Sequence, residues 1–233
     1  MSNLEERYNR QIILPNFGEE GQRRLQKAKI LLVGVGGLGS PIALYLAGAG
    51  VGTIGIVEDD IVSSSNLQRQ ILYQESEIGH DKVFLAQKRI SALNSQTHVI
   101  TYKQRFDEEN ALSIAHGYDM IIDGCDNFET RYIMDRVSMD LGIPYIFGSI
   151  GEYSGMVSVF NTRGAGRYSD LFTQDSISSQ PNNTKGVIGP VPGVIGSIEA
   201  LEAIKIITGC GEPLCGKLFT IDLITLQSHI LNI

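Results

Sequence analysis

Cysteine is scarce in this chain: 233 residues hold three, Cys125, Cys210 and Cys215. Three thiols build no disulfide framework, which points to a reducing compartment. The spacing from Cys210 to Cys215 is not that of a C-x-x-C pair. Basic residues are also in deficit, 19 Lys and Arg against 26 Asp and Glu, for a net charge of −7. Nucleic acid is therefore disfavoured as the main partner, because phosphate backbones need a basic face. No apolar run approaches ~18 residues, so nothing is predicted to span a membrane. The segment Ser2 to Arg10, S-N-L-E-E-R-Y-N-R, is polar and charged, unlike a secretory signal. Internal repeats and composition breaks are missing too. The expectation is a cytoplasmic protein with one domain over residues 1–233, long enough to bury a substantial core.

The stretch that organises the chain runs from Lys29 to Arg69. Ile30, Leu31, Leu32 and Val33 predict a short buried strand, followed by Gly34, Gly36, Gly37 and Gly39. Glycines here let the backbone turn tightly and approach a phosphate. The helix predicted over Ile42 to Gly50 then aims its amide groups and positive dipole end at the anion. Thr53 to Val57 reads as the second strand, and Glu58 ends it, where an acidic side chain can bond ribose hydroxyls. Such a βαβ unit does not choose between ATP and NAD, and a nicotinamide oxidoreductase is its default reading. Asn66, Gln68, Arg69 and Gln70 speak against that default, since a dehydrogenase needs no polar and basic cluster just past the ribose acid. The fork of Arg69 suits phosphate oxygens in a way that Lys cannot match.

Further along, helices are predicted at Ser2–Arg10, Asn16–Lys27, Asp81–Leu93, Glu108–His116 and Phe128–Leu141. Strands are predicted at His98–Tyr102, Met120–Asp123 and Tyr145–Gly148. This alternation implies an α/β fold, a Rossmann-like and mostly parallel sheet with helices on both faces. Residues 1–28 would form an N-terminal helical segment and 29–150 the nucleotide-binding core. Met156–Phe160 has no helix before it and is expected to pair antiparallel. Asn161 to Pro192 shows little periodicity and reads as a long crossover loop, mobile over Asp175–Lys185. Val194–Thr208 returns to helix, and Lys217–Asp222 with Leu226–Leu231 close the sheet as antiparallel strands.

Lys82 follows Gly79 near a helix start, a position from which it could reach a nucleotide, although a lone Lys on a helix is usually solvated. Asp123 and Asp126 flank the end of a buried strand, where open parallel sheets place their ligands. One of them can hold Mg²⁺ that also takes phosphate oxygens, while the other caps the next helix. Cys125 reads as a packed residue rather than a nucleophile. Asp60, Gln70 and Asn127 are counted with the nucleotide-binding residues. Arg10, taken alone, is a surface charge.

Five motifs together carry a resemblance: R-Y-N-R-Q-I-I-L at Arg7–Leu14, G-V-G-G-L-G at Gly34–Gly39, S-N-L-Q-R-Q at Ser65–Gln70, I-G-H-D-K-V at Ile78–Val83 and D-G-C-D-N at Asp123–Asn127. P-V-P-G-V-I-G-S-I-E-A-L-E-A-I-K, Pro190 to Lys205, continues it. The chain resembles the ThiF/MoeB/HesA adenylyltransferases, relatives of ubiquitin-activating enzymes, over almost its whole length. The resemblance implies ATP- and Mg²⁺-dependent adenylation of the C-terminal glycine of a small ubiquitin-like sulfur carrier, of ThiS or MoaD type, in thiamine or molybdenum-cofactor biosynthesis. It assigns Glu58 to the ribose, Asn66, Arg69 and Lys82 to the phosphates, and Asp126 to the metal. Arg10 would reach the phosphates from the neighbouring subunit of a homodimer. Members often carry two C-x-x-C pairs for structural zinc. Here Y-S-D-L stands at Tyr168–Leu171, where the first is due, and no second follows the last strands, so no zinc is expected. No cysteine lies between Asn161 and Pro192, and no rhodanese-type domain follows, so a separate protein is expected to donate the sulfur. A non-catalytic nucleotide-binding module is the remaining alternative.

Overall fold

The structure is a computed structural model that describes residues 3–173 and 186–233. In chain order its elements are α1 (Asn3–Ile12), α2 (Gly18–Lys27), β1 (Lys29–Val33), α3 (Gly39–Ala49), β2 (Thr53–Val57), α4 (Lys82–Leu93), β3 (His98–Tyr102) and α5 (Ala111–Ala115). There follow β4 (Met120–Asp123), α6 (Phe128–Leu141), β5 (Tyr145–Ile150), β6 (Ser154–Phe160), α7 (Tyr168–Leu171), α8 (Pro190–Thr208), β7 (Lys217–Asp222) and β8 (Gln227–Asn232). The eight strands form one sheet in the order β3-β2-β1-β4-β5-β6-β7-β8. The five strands from β3 to β5 run parallel, and β6, β7 and β8 add antiparallel.

The period of two along each strand divides the core. Ile30 and Leu32 of β1 join Ile54, Ile56, Ile122 and Ile146 on the face that also takes Ile42 and Leu46 of α3, Val83 and Ile90 of α4, and Ile195 of α8. Leu31, Val33, Ile121 and Tyr145 face the other way, against Ile114 of α5 and Met134 and Val137 of α6. Helices thus cover both faces, as the alternation implies. None of the described helices is long and apolar enough to cross a membrane.

Several boundaries differ from the sequence reading, each for a local reason. The helix expected over Glu108–His116 is only Ala111–Ala115, because Asp107 accepts the N–H groups of Glu109 and Asn110 at 3.0 and 3.1 Å and holds them in a turn. β5 runs on to Ile150 because Ile150 pairs with Gly155 of β6. α8 begins at Pro190 rather than Val194, since a proline in the first turn has no N–H to lose and a preset φ. α3 starts at Gly39 rather than Ile42.

The crossover region is not featureless either. Tyr168 opens the short helix α7 and is fully buried. Its ring meets those of Phe172, Phe147 and Tyr132 at centroid distances of 4.9, 5.2 and 5.5 Å, and those of Tyr145 and Phe160 at 6.0 Å. Asp135 of α6 accepts the Tyr168 N–H at 3.0 Å and pairs with Arg167 at 3.1 Å. Y-S-D-L is therefore anchored by an aromatic cluster. Among the described residues no group of three or more His, Cys, Asp and Glu is placed to hold a metal ion. The mobility expected over Asp175–Lys185 concerns residues outside those described.

Candidate active site

A cavity of about 920 Å³ opens beyond the C-terminal ends of the parallel strands, and Val33, Val57, Gly124 and Ile150 form part of its wall. Its floor is the glycine turn after β1. Gly34 has φ +89°, and a Cβ there would lie 2.7 Å from the Gly124 backbone. At Gly39 a Cβ would fall 2.2 Å from the Gly34 carbonyl oxygen, so the first turn of α3 packs on the loop only without a side chain. Glu58 braces this turn. One carboxylate oxygen accepts the Val35 N–H and the other the Asp60 N–H, both at 3.0 Å. Carboxylate oxygens keep further lone pairs for a ribose hydroxyl. The buried Tyr73 hydroxyl donates to the Val35 carbonyl at 2.8 Å from behind.

The next wall comes from the loop after β2. Arg69 donates through Nη1 to the Ser65 carbonyl at 3.0 Å, and its other donors have no partner among the described residues. Gln70 is 5% exposed, yet its Oε1 has no hydrogen-bond partner among the described residues. It packs over Gly36, where a Cβ would be 3.3 Å from the Gln70 amide nitrogen. An open acceptor at a glycine turn suits a ligand that carries donors as well as phosphates. Lys82, the first residue of α4, is almost wholly buried and pairs with Asp60 at 2.5 Å. Burial by itself would raise the Asp60 carboxyl, but the Lys82 bond and the Ile61 N–H outweigh it and hold it below its ordinary value.

The turn from β4 to α6 separates its two acids by role. Asp123 is fully buried. It pairs with Arg131 Nε at 2.9 Å and accepts from the Tyr145 hydroxyl at 3.1 Å and the Cys125 N–H at 3.0 Å. Arg131 also donates to the carbonyls of Cys125 and Gly148, both at 3.2 Å. Asp126 is exposed on the cavity wall, with no ion pair or hydrogen bond among the described residues. Neither aspartate caps the helix, which corrects the sequence reading: Asn127 does, accepting the Thr130 N–H at 2.9 Å. A free carboxylate facing a space sized for phosphates fits Mg²⁺, which takes one or two carboxylates and completes its shell with phosphate oxygens and water. Asp59, two residues past β2, is a second unpaired carboxylate on the wall among the described residues. Burial, with Asp123 adding to it, pushes the Cys125 thiol well up, which disfavours the thiolate, and its Sγ donates to the Asn127 carbonyl at 3.5 Å.

The cavity thus gathers Gly34, Gly36, Gly37, Glu58 and Asp60 with Arg69, Gln70, Lys82, Asp126 and Asn127. Three expected residues are not on its wall. Gly39 lies behind it. Asn66 is buried and its side-chain oxygen accepts the Ser63 N–H at 3.0 Å, holding the loop that carries Arg69. Arg10 is exposed on α1.

A family model described as the ThiF family matches residues 8–233. The chain belongs to the ThiF family. A sulfur carrier protein adenylyltransferase of Thermus thermophilus is 43% identical over 224 residues, 93% of this chain and 83% of that protein. A probable molybdopterin-synthase adenylyltransferase of Porphyra purpurea is also 43% identical, over 95% of this chain and 59% of its own. The chain spans about half to three fifths of the length of the first curated relatives it matches. Among solved structures, Escherichia coli MccB with ATP superposes with a TM-score of 0.86 at 22% identity, covering 99% of this chain and 72% of that one, a likeness of fold.

In this ThiF-family chain the sequence reading missed Asp59, the Ser149–Ile150 end of β5 and two further parts of the wall that carry an arginine. One is Gln104, Arg105 and Phe106, whose place just past the end of β3 was the available signal. The other is Arg131, one helical turn beyond the Asn127 cap. Its partner Asp123 is visible only once β4 and α6 are packed together.

Proposed function

We propose that this protein adenylates the C-terminal glycine of a small ubiquitin-like sulfur-carrier protein, using ATP, in thiamine or molybdenum-cofactor biosynthesis. What carries the reading is one cavity in which a glycine turn, the free donors of Arg69, the ammonium of Lys82 and the free carboxylate of Asp126 converge, in a ThiF-family chain. The names of the Thermus and Porphyra relatives support the same substrate class.

The glycine carboxylate, already ionised at neutral pH, attacks the α-phosphorus of ATP. The bond from that phosphorus to the bridging oxygen breaks, pyrophosphate leaves, and an acyl-adenylate remains. No general base is required. Charge grows on the transferring and leaving phosphates, and Arg69 and Lys82 are placed to offset it. Asp126 would hold a Mg²⁺ whose charge serves the same end. Glu58 orients the ribose, and Gln70 offers its open acceptor beside the turn. Arg10 of a second copy would complete the site in a homodimer, and a separate protein would supply sulfur to the acyl-adenylate.

The test is ATP–pyrophosphate exchange. Label exchange should need both Mg²⁺ and a carrier ending in Gly-Gly. Asp126→Ala should lower it by roughly 100-fold or more while leaving the thermal melt unchanged. Absence of exchange with every Gly-Gly carrier offered, or full exchange by Asp126→Ala, would defeat the reading.

A further inference from the structure

Two carboxylates on the cavity wall look alike in sequence and differ in geometry. Asp126 keeps its carboxylate without a partner among the described residues, as a group that meets a ligand should. Asp60 is committed at every polar atom. Its N–H donates to Glu58 at 3.0 Å, and its carbonyl accepts the Lys82 N–H at 3.1 Å. One side-chain oxygen accepts the Ile61 N–H at 2.8 Å and the other holds Lys82 Nζ at 2.5 Å. A bridge between Ile61 and Asp81 ties the same two segments together. The Lys82 side chain is 4% exposed, whereas that of Asp60 is 59% exposed. An ammonium so little hydrated needs a fixed countercharge to hold it in place. No other carboxylate pairs with it among the described residues: Asp81, next to it in the chain, is taken by Lys103 at 2.7 Å.

We infer that Asp60 is a positioning residue that acts through Lys82, holding its ammonium at the phosphate side of the cavity, and is not itself a ligand of nucleotide or metal. This rests on the proposed reading of the site. Glu58 gains a second task, since its carboxylate fixes the N–H of the residue that holds Lys82.

The experiment is a double-mutant cycle on the full chain with Asp60→Ala, Lys82→Ala and the pair. It is read both as the affinity for Mg²⁺ and an α,β-methylene ATP analogue, by calorimetry, and as the kcat of pyrophosphate exchange. Each single variant should lose about tenfold or more in kcat, and the pair should be no worse than Lys82→Ala alone within about twofold. Asp60→Asn, which keeps the shape and removes the charge, guards against misfolding of the alanine variant and should show the same coupling. Losses that multiply would mean that Asp60 touches the ligand on its own account. Tighter analogue binding by Asp60→Ala would mean that it competes with phosphate. Either result, or an unchanged kcat in Asp60→Ala, overturns the inference. A second readout needs no catalysis: acetic anhydride at pH 8 should label Lys82 faster in Asp60→Asn than in the unaltered protein, because loss of the ion pair releases the side chain from its buried position toward the reagent. Equal labelling rates count against the inference. If the unaltered protein shows no exchange with any carrier while the labelling and the coupling in affinity stand, the function reading fails and the role of Asp60 survives.

Discussion

Glu199 is the residue whose environment departs furthest from its chemistry. It lies on α8, fully buried, with neither carboxyl oxygen hydrogen-bonded among the described residues. It sits directly on Gly148 of β5, where a Cβ would fall 2.0 Å from Oε1. Burial above all, with Asp123 adding to it, pushes this carboxyl well above the usual range, and Arg131 only partly offsets that. The consequence has a definite sign. The unfolded chain releases the Glu199 proton near pH ~4.3, whereas the folded protein keeps it to higher pH. Over that window the folded state binds more protons, so stability falls as pH rises through the folded value. Glu199→Gln should therefore be more stable than the unaltered protein by about 1–3 kcal/mol at pH 8, with the gap closing toward pH 4. Urea midpoints at pH 4, 6 and 8 measure it, and a gap independent of pH would show that Glu199 is not held protonated. Gly148 also accepts a hydrogen bond from Arg131, so Glu199 packs on the same backbone that steadies the turn bearing Asp126.

Among the elements, α7 shows how four residues gain stability that their length could not provide. A helix that short has no standing by itself. Tyr168 stays because aromatic rings surround it and Asp135 receives its backbone N–H. The ring and the hydroxyl contribute oppositely. The hydroxyl is buried with no hydrogen-bond partner among the described residues, which costs free energy. Tyr168→Phe is accordingly expected to leave stability unchanged or raise it by up to about 1 kcal/mol, whereas Tyr168→Ala should cost about 3–5 kcal/mol. Chemical denaturation of the two variants separates them, and a Phe variant as unstable as the Ala variant would show that the hydroxyl, not the ring, does the anchoring.

At the scale of the molecule, the cavity collects acids, bases and a glycine turn from seven separate stretches, and one proposed arginine is missing from it. Arg10 is exposed on α1 and is not on the wall. If a second copy supplies it, each site needs two chains, and symmetry makes two sites per dimer. Arg10→Ala and Arg69→Ala, each inactive alone, should then recover about one intact site per heterodimer when subunits are exchanged. Exchange activity of the mixture, with heterodimers counted by native mass spectrometry, decides this. Heterodimers without recovered activity would mean that Arg10 works in its own subunit or not at all.

Much of this could be read along the chain, because much of it depends on neighbours in sequence. The alternation of strand and helix, the glycine turn between Val33 and Gly39, and the limits of β2, β3, α6 and β7 follow from periodicity and turn chemistry that act within a few residues. Lys82 and Asp126 were legible as candidates from their places at a helix start and just past a strand end, and Arg69 from the polar cluster Ser65–Gln70 that contains it. Packing decided what spacing could not. Asp123 and Asp126 are three positions apart in one motif, yet one is neutralised by Arg131 of the following helix α6 and the other faces the cavity. Asp60 and Lys82 meet only because the loop after β2 folds back on the start of α4. Whether a carboxylate braces a turn, holds a lysine or awaits a ligand depends on partners brought together from distant parts of the chain, and on how much water that assembly leaves around it.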